Sequence, residues 1–290
     1  YLMSDLRPRR SVLYMPAANE RALDKAKGIP ADALIFDLED AVAPDAKPDA
    51  RRNAVAAALS GEYGNKEITI RCNGLDTQWG HEDLAAAAMA NVSAVVIPKI
   101  NSVKEVEAVS SALASAGAPG SMKIWAMIET PTAIFDVRQI AAHPRVQTLV
   151  MGTNDLAKEL RATQVRGRAP LTSHLATALL AAREAGKVIL DGVFNDVKDL
   201  DAFRDECVQG AQMGFDGKTL IHPSQVEIAN DVWAPSADEV DYAQRVIAAF
   251  EEATAEGRGV ITVDGRMIEN LHVDNARRVL AVQAAIESLS

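Results

Sequence analysis

Residues 123–131, KIWAMIETP, form a short apolar run that ends abruptly in the carboxylate of Glu129. Residues 148–156, TLVMGTNDL, repeat this pattern further along the chain and carry Asp155 at their end. A helix-length segment separates the two runs, so they predict successive buried strands of a parallel sheet. Because parallel strands end at the same edge of a sheet, we expect the two carboxylates to face one small volume.

Apolar runs of similar length recur along the chain and alternate with Ala-rich, charged segments that have a helical period. The runs cover residues 11–15, 33–37, 68–72, 94–98, 123–128, 148–151, 188–193 and 218–221. Eight strands that are each followed by a helix predict an α/β fold in which the parallel sheet closes into a (β/α)8 TIM barrel. An open, doubly wound sheet is the alternative.

The ends of the predicted strands carry the polar residues. In chain order they read YMP, FDLED, IRCN, IPK, MIET, MGTND, DGVFND and LIHP. Each end taken alone could simply begin a loop, since Asp, Asn, Gly and Pro favour turns. Acidic, basic, amide and imidazole side chains gathered on one face instead predict a functional site at the C-terminal mouth of the barrel.

The pattern changes after Pro223. We predict an amphipathic helix over residues 239–255, a Gly-rich link at 257–259, a hairpin at 260–266 and a last helix at 267–287. The chain is therefore expected to contain a barrel domain, residues 1–230, and an extension, residues 231–290, that packs on the barrel or on a neighbouring subunit.

Composition narrows the class of protein. The chain has 290 residues, of which 48% are hydrophobic and 24% are charged, so it can bury a large core. Its formal net charge of −10 argues against general nucleic-acid binding. Two distant cysteines, no long apolar run and no secretory leader predict a cytoplasmic protein without a membrane span.

Glu129 and Asp155 provide the type of ligand that a hard divalent cation requires. Magnesium is often bound by one or two protein carboxylates, while water or substrate oxygens complete its coordination. The pair therefore predicts a metal site at the mouth of the barrel. The alternative is that each carboxylate caps a helix, with Asp155 as an N-cap.

Arg71 ends the third predicted strand. Its guanidinium could hold a carboxylate through two hydrogen bonds or stabilise an oxyanion. A structural ion pair with Asp37, Glu39 or Asp40 is the alternative. The two roles are compatible, because these acidic residues could orient Arg71 or metal-bound water from behind.

Three other features of the sequence invite a functional interpretation. Lys99 could form a Schiff base that replaces the metal, although a structural lysine is the simpler interpretation. Residues 214–223, GFDGKTLIHP, lack the glycine spacing of a phosphate-binding P-loop, which excludes that motif. A basic patch near the N-terminus could bind phosphates or could be a solvated face. It comprises Arg7, Arg9, Arg10, Arg21, Lys25 and Lys27.

The motifs RRSVLYMPAANERALDKA, LIFDLEDAV, IRCN, IPK, MIETP, MGTNDL, GKTLIHPSQ and VDGRMIENLHV follow in this order over nearly the whole chain. In these motifs the chain resembles the citrate lyase β-subunit-like, or HpcH/HpaI aldolase, superfamily. Its members include malyl-CoA, β-methylmalyl-CoA and citramalyl-CoA lyases and (3S)-malyl-CoA thioesterases. The resemblance implies a TIM barrel that forms a homotrimer or hexamer and uses Mg²⁺, with Mn²⁺ as a substitute, on a CoA thioester.

The resemblance also implies roles for individual residues. Glu129 and Asp155 would bind Mg²⁺, and Arg71 would contact the acyl part of the substrate. The residues that would contact the CoA thioester are Tyr14, Arg21, Lys25, Thr219 and Leu220.

The C-terminal segment departs from the lyases of this superfamily. In the family it is a helical lid over the active site of a neighbouring subunit, where it supplies an acidic residue. The lyases typically have Met-Ile-Asp there, whereas this chain has Met-Ile-Glu, which makes Glu269 the expected catalytic acid or base. MIENLH and GTNDLAKEL are more similar to the thioesterase branch.

Three functions are open at this point. The first is a Mg²⁺-dependent lyase that cleaves malyl-CoA-type thioesters by a retro-aldol reaction into acetyl-CoA or propionyl-CoA and glyoxylate or pyruvate. The second is a (3S)-malyl-CoA thioesterase that releases malate and CoA. The third is a subunit that binds a CoA thioester without turnover. The sequence does not distinguish malyl, methylmalyl and citramalyl substrates, nor a trimer from a hexamer.

Overall fold

The structure, a computed structural model, describes residues 6–257 and 261–289 of the chain. These residues form two compact units. The first is Arg9–Val232, and the second consists of the described residues from Trp233 onward together with residues 6–8. The predicted boundary, between residues 230 and 231, lies close to this division.

Eight parallel strands, β1 to β8, close into a barrel in the first unit. They are β1 Ser11–Pro16, β2 Ala33–Asp37, β3 Glu67–Arg71, β4 Ala94–Ile97, β5 Lys123–Ile128, β6 Val146–Met151, β7 Val188–Asp191 and β8 Gly217–Leu220. Each strand pairs with the next one in the sequence, and β8 pairs with β1 from Ser11 opposite Lys218 to Leu13 opposite Leu220. The predicted TIM barrel is therefore confirmed, and the open sheet is wrong.

Helices follow the strands and surround the barrel. They are α1 Glu20–Ala26, α2 Lys47–Leu59, α3 Gly80–Met89, α4 Val103–Ser115, α5 Pro131–Ala142, α6 Thr153–Glu159, α7 Thr172–Glu184, α8 Leu200–Met213 and α9 Val226–Val232. The connection from β6 to β7 contains two of them, a short α6 that starts at the mouth and the longer α7. Three 3₁₀ turns, Pro44–Ala46, Ala169–Leu171 and Pro223–Gln225, complete the connections.

Apolar side chains fill the inside of the barrel. This core comprises Val12, Ala33, Ile35, Ala94, Val96, Trp125, Met127, Val150 and Leu190. Below it, the Arg9 guanidinium forms a buried ion pair with Glu67, with Nε 2.6 Å from Oε2, and lies 5.4 Å from the ring centroid of Trp125. The packed core leaves the C-terminal ends of the strands as the place where polar groups can gather.

The basic patch predicted near the N-terminus is wrong as one surface. Arg9 and Arg10 precede β1 and so belong to the N-terminal end of the barrel, whereas Arg21 and Lys25 lie on α1 after that strand. Three of the cations are also neutralised by acidic side chains. The partners are Glu67 for Arg9, Asp32 for Arg10, and Asp24 and Glu62 for Lys27.

The C-terminal unit contains two helices and a hairpin. They are α10 Ala237–Ala255, β9 Ile261–Val263, β10 Arg266–Ile268 and α11 Asn270–Glu287. Asp264 and Gly265 both have positive φ values, 51° and 75°, as a tight two-residue hairpin turn requires. The predicted hairpin exists, but Met267 and Ile268 belong to β10, so the last helix begins at Asn270.

Part of the predicted Gly-rich link, with Val260, lies outside the described residues. Among the described residues, no helix combines the length and apolar character needed to cross a bilayer.

Candidate active site

Glu129 directly follows β5, at the C-terminal end of the barrel. It is 3% exposed, and its Oε1 accepts a hydrogen bond of 2.7 Å from the backbone N–H of Lys99 at the end of β4. The next residue, Thr130, caps α5 by accepting a hydrogen bond from the N–H of Ala133. Capping is therefore performed by Thr130, and the carboxylate of Glu129 is available for another role.

Asp155 lies in the first turn of α6, just after β6. The N-cap of this helix is Gly152, so the alternative in which Asp155 is the N-cap is wrong. A Cβ atom on Gly152 would overlap the side chain of Glu129, because that carboxylate packs directly against the start of α6. The fold thus brings the two carboxylates together at the mouth of the barrel.

Arg71 is the last residue of β3 and is 8% exposed. Its Nε and Nη2 donate to the two carboxylate oxygens of Asp37, each at 2.7 Å. Its Nη1 lies 3.0 Å from Glu39 Oε2 and 3.8 Å from Asp40 Oδ2. The ion pairs that the sequence predicted are therefore present, and Asp37 fixes the plane of the guanidinium.

Lys99 also reaches the carboxylates at the mouth. Its Nζ lies 3.7 Å from Glu39 Oε1 and 3.8 Å from Asp155 Oδ2. Burial lowers the pKa of Lys99, but Glu39 and Asp155 more than offset this effect, so the pKa is raised overall. A Schiff-base lysine must lose its proton near neutral pH, so the structure argues against that chemistry. We refer to Glu39, Lys99, Glu129 and Asp155 as the mouth cluster.

Two acidic residues of the mouth cluster, Glu129 and Glu39, have raised pKa values. Burial raises the pKa of Glu129 to about 7; the hydrogen bond from Lys99 opposes the rise, and the charges of Asp155 and Glu39 add to it. Burial also raises the pKa of Glu39, although Arg71 acts in the opposite direction. A bound cation would relieve this cost, because metal binding favours the deprotonated form of its ligands.

The donor set of the mouth cluster fits a magnesium ion. Its ligands would be carboxylate oxygens, which hard cations prefer, and Gly152 leaves the space in which Glu129 packs. Within residues 6–257 and 261–289, no three His, Cys, Asp or Glu side chains form a complete metal cage. A site with two protein carboxylates suits Mg²⁺, which usually retains several oxygen ligands from water or substrate.

Tyr14 lies on β1, packed against the barrel core. The guanidinium carbon of Arg71 lies 4.7 Å from the centroid of its ring, and its hydroxyl is 4.0 Å from the sulfur of Met127. Burial raises the pKa of Tyr14 despite the nearby Arg71. The structure therefore joins Tyr14 to the acyl-binding candidate Arg71, whereas the sequence grouped it with the residues expected to contact CoA.

Arg21 and Lys25 are exposed on α1. Arg21 lines a cavity of about 640 Å³ together with Pro16, Ala18, Asn19, Glu20 and Ala41. Pro16 ends β1 and Ala41 follows β2, so this cavity opens on the same face of the barrel as Glu129 and Asp155.

The remaining predicted site residues differ in their access to a ligand. Thr219 pairs with the core residue Val12 and so lies on the inner face of the barrel, where its hydroxyl donates to the carbonyl of Asp191. Leu220 is fully buried on the opposite face of β8, so its side chain is not open to solvent. Glu269 is exposed in the C-terminal unit, and its N–H donates to His272 Nδ1 at 2.9 Å.

Sequence reasoning missed a second cluster of charges, in the wall formed by β7, β8 and α8. Lys218 Nζ donates to Asp191 Oδ2 at 2.9 Å and to Glu206 Oε1 at 2.8 Å, and Arg168 Nη1 donates to Asp191 Oδ1 at 2.6 Å. We refer to these four residues as the wall cluster. The available signal was a lysine, Lys218, at the start of the predicted strand over residues 218–221, but local sequence does not reveal its partners Asp191 and Glu206.

Comparison with known proteins identifies the protein family to which this chain belongs. The model of the HpcH/HpaI aldolase/citrate lyase family matches residues 10–223, which covers all eight strands and the mouth cluster. The chain belongs to this family. The family that its motifs resemble is thereby confirmed, as is the expectation of an enzyme of the CoA-ester lyase or malyl-CoA thioesterase type.

Individual relatives match this chain over nearly its full length. The chain is 50% identical to a (3S)-malyl-CoA thioesterase of Cereibacter sphaeroides over 96% of both chains. It is 36% identical to the citrate lyase β subunit of Escherichia coli over 95% of this chain and 93% of the relative. The structure of CitE from Mycobacterium tuberculosis with magnesium, acetoacetate and coenzyme A superimposes with a TM-score of 0.78 at 28% identity, covering 96% of this chain and 100% of that one.

Proposed function

We propose that the chain hydrolyses (3S)-malyl-CoA to malate and CoA in a reaction that requires Mg²⁺. The observation that carries this proposal is the 50% identity to (3S)-malyl-CoA thioesterase over 96% of both chains. The paired carboxylates at the mouth of the barrel agree with it, because the malyl group offers a carboxylate and a hydroxyl to a bound metal.

In this proposal Glu129 and Asp155 hold the Mg²⁺. The metal, when bound, would supply a Lewis acid that polarises the oxygens it contacts. The protein prepares the site by burying Glu129 and by fixing its Oε1 with the Lys99 N–H at 2.7 Å. The use of Mn²⁺ as a substitute metal remains a prediction.

Arg71 would bind the acyl part of the substrate and stabilise negative charge there. Its orientation supports this role, because two hydrogen bonds of 2.7 Å to Asp37 and the ring of Tyr14 hold the guanidinium in place. Asp37 and Glu39 would act through Arg71 rather than on the substrate, and Asp40 would contribute a weaker electrostatic effect from 3.8 Å.

The CoA part of the thioester would lie over β8, β1 and α1. Arg21 and Lys25 are exposed cations that suit its phosphates, and the cavity beside Arg21 has a volume of about 640 Å³. Thr219 would line the ligand from the inner face of β8. Because the side chain of Leu220 is fully buried, this residue would contribute through its backbone.

Glu269 would be the acid or base of the reaction. As a base it would take a proton from the water that attacks the thioester carbonyl. We propose, from the resemblance to the family, that residues 231–290 serve as a lid in a homotrimer or hexamer, where Glu269 would act on the site of a neighbouring subunit. A cytoplasmic location also stays a prediction.

Retro-aldol cleavage is the second candidate. The 36% identity to citrate lyase β subunits over 95% of the chain favours it. Here Arg71 would stabilise the charge that develops on the substrate, and Glu269 would protonate the carbon of the acetyl-CoA enolate. The products would be acetyl-CoA and glyoxylate, or the corresponding products of methylmalyl-CoA and citramalyl-CoA.

Product analysis separates these reactions. The full-length protein is incubated with (3S)-malyl-CoA and Mg²⁺, and free CoA, malate, acetyl-CoA and glyoxylate are each measured. We expect CoA and malate in equal amounts, and no turnover in excess chelator. Acetyl-CoA with glyoxylate would identify the lyase, and binding without any product would identify a non-catalytic subunit. The same assay on β-methylmalyl-CoA and citramalyl-CoA measures acyl specificity.

A further inference from the structure

Lys99 is the member of the mouth cluster to which the proposed reaction assigns no task for its side chain. Its ammonium lies between Glu39 and Asp155, at 3.7 Å and 3.8 Å from their nearest oxygens. Both distances are within ion-pair range but exceed that of a direct hydrogen bond, so the ammonium interacts electrostatically with both carboxylates. The side chain is 52% exposed, which leaves space for it to move away.

The backbone of Lys99, in contrast, is held at both ends. Its φ is 50°, a left-handed value that costs energy for any residue except glycine. Its N–H donates to Glu129 at 2.7 Å, and its carbonyl accepts from Asn101 Nδ2 at 3.0 Å. The side chain of Asn101 is itself bonded to Thr130, the residue after Glu129. The strained turn therefore fixes the position of the Lys99 backbone, while the exposed ammonium group can move from one carboxylate to another.

The charges of the mouth cluster do not balance. Glu39, Glu129 and Asp155 are acidic, and Lys99 supplies one positive charge. The other nearby cation, Arg71, lies 3.0 Å from Glu39 but is also paired with Asp37, so its single charge is shared by these two carboxylates. A divalent cation that binds Asp155 would add two positive charges beside the ammonium, so that both cations compete for the same carboxylates.

We propose that Lys99 is the resident counter-cation of the mouth cluster, which holds Glu39 and Asp155 together until a divalent cation binds and displaces its ammonium. This inference rests on the metal site of the proposed function. It assigns Lys99 a positioning role that weakens metal binding and keeps the site assembled while no metal is bound.

The test compares metal affinity among variants of one residue. Lys99→Met keeps an unbranched side chain only one atom shorter than lysine and the backbone cost of the left-handed conformation, so the main change is the loss of the charge. Titration calorimetry with MgCl₂ alone should give a Kd about 5- to 30-fold lower than that of the wild type, as expected for removing one unit charge about 4 Å from the metal ligands. Lys99→Arg, which keeps the charge, should remain within about threefold of the wild type.

A matched control removes a charge elsewhere. Lys104 is exposed on the neighbouring helix α4, so Lys104→Met changes the net charge equally and should leave the Kd unchanged. Thermal unfolding in EDTA gives a second measurement. Lys99→Met should unfold at a lower temperature than the wild type without metal, and should gain more from added Mg²⁺, because Asp155 and Glu39 then lack the ammonium that lies beside both of them.

An affinity of Lys99→Met that equals or falls below that of the wild type would overturn the proposal. If that variant does not fold, Lys99→Gln takes its place with the same expected direction. A wild-type protein that binds no Mg²⁺ at millimolar concentration would instead refute the metal site itself, so the two failures are distinguishable.

Discussion

The wall cluster and the mouth cluster of the barrel differ in their balance of charge. In the wall cluster, Arg168 and Lys218 face Asp191 and Glu206, so two cations match two anions at distances of 2.6–2.9 Å. In the mouth cluster, three carboxylates face the ammonium of Lys99, which approaches no closer than 3.7 Å. The guanidinium of Arg71 lies 3.0 Å from Glu39, but it also pairs with Asp37, so its one charge is shared by two carboxylates.

The pKa values follow this difference. Burial raises the pKa of Asp191, but Lys218 and Arg168 outweigh it and bring the pKa below its ordinary value. Burial raises the pKa of Glu129 to about 7, and the neighbouring Asp155 and Glu39 add to the rise. The wall cluster is thus balanced in formal charge, whereas the mouth cluster has fewer cations than carboxylates. We therefore expect the functional site at the mouth cluster, where charge is unbalanced, and not at the wall cluster.

Replacing Glu129 by Gln should have the largest effect. The change removes a proposed metal ligand with little change in shape, so Mg²⁺ binding should be lost and turnover of (3S)-malyl-CoA should fall by about 10³-fold or more. Steady-state kinetics and titration calorimetry measure both effects. Glu107→Gln, on the exposed face of α4, is the control and should behave as the wild type. Activity of Glu129→Gln within tenfold of the wild type would contradict the metal site.

The two clusters should also differ in stability. Lys218→Met leaves Asp191 and Glu206 without one of their cations in a fully buried position, so it should destabilise the protein by about 3–5 kcal/mol. Glu129→Gln should leave the metal-free protein as stable as the wild type or more so, since it removes a carboxylate whose ionisation is unfavourable. Urea denaturation in EDTA measures both. Equal losses in the two variants would remove the distinction between the clusters.

Gly152→Ala should damage the mouth cluster without removing a charge. The added Cβ would overlap the side chain of Glu129 and displace its carboxylate, so Mg²⁺ affinity should fall about 10- to 100-fold, the range observed when the support of a ligand is lost. Gly120 is the matched control, because a Cβ there meets no atom within 4 Å. A Gly152→Ala protein that binds Mg²⁺ as tightly as Gly120→Ala would show that Glu129 is not confined by the start of α6.

The pH dependence should be the smallest effect. With a pKa of about 7, Glu129 must lose a proton to bind a metal below neutral pH, so the Mg²⁺ affinity should rise up to tenfold per pH unit towards pH 7 and level off above it. The raised pKa also means that the contribution of Glu129 to the stability of the metal-free protein decreases as the pH rises from about 4.5 to about 7. Calorimetric titrations at several pH values test the first expectation, and a flat profile would contradict it.

Much of the fold followed from the sequence, because each buried strand is a separate apolar run and each run is followed by a helical segment. The positions of Glu129, Asp155 and Arg71 at one mouth followed from the same pattern, since parallel strands share their direction. Local sequence also revealed the hairpin near Asp264, where two residues with positive φ make the turn.

Other features depend on contacts between residues that are distant in the sequence, so they could not be predicted from the local sequence pattern. Arg9 is basic in sequence, yet Glu67 neutralises it at the opposite end of the barrel. The role of Gly152 depends on the approach of Glu129 from another strand, and the role of Lys218 depends on Asp191 and Glu206. In each case the deciding partner lies far away in the chain, and periodicity carries no information about it.

The central claim is that Glu129 and Asp155 share one divalent cation at the mouth of the barrel. Crystals of the full-length protein grown with MnCl₂ would test it through an anomalous difference map, since manganese scatters anomalously and no other group in the chain would give a comparable peak. The claim predicts one strong peak about 2.0–2.2 Å from an oxygen of each carboxylate. A peak bound to other side chains, or no peak with both carboxylates well defined, would contradict it.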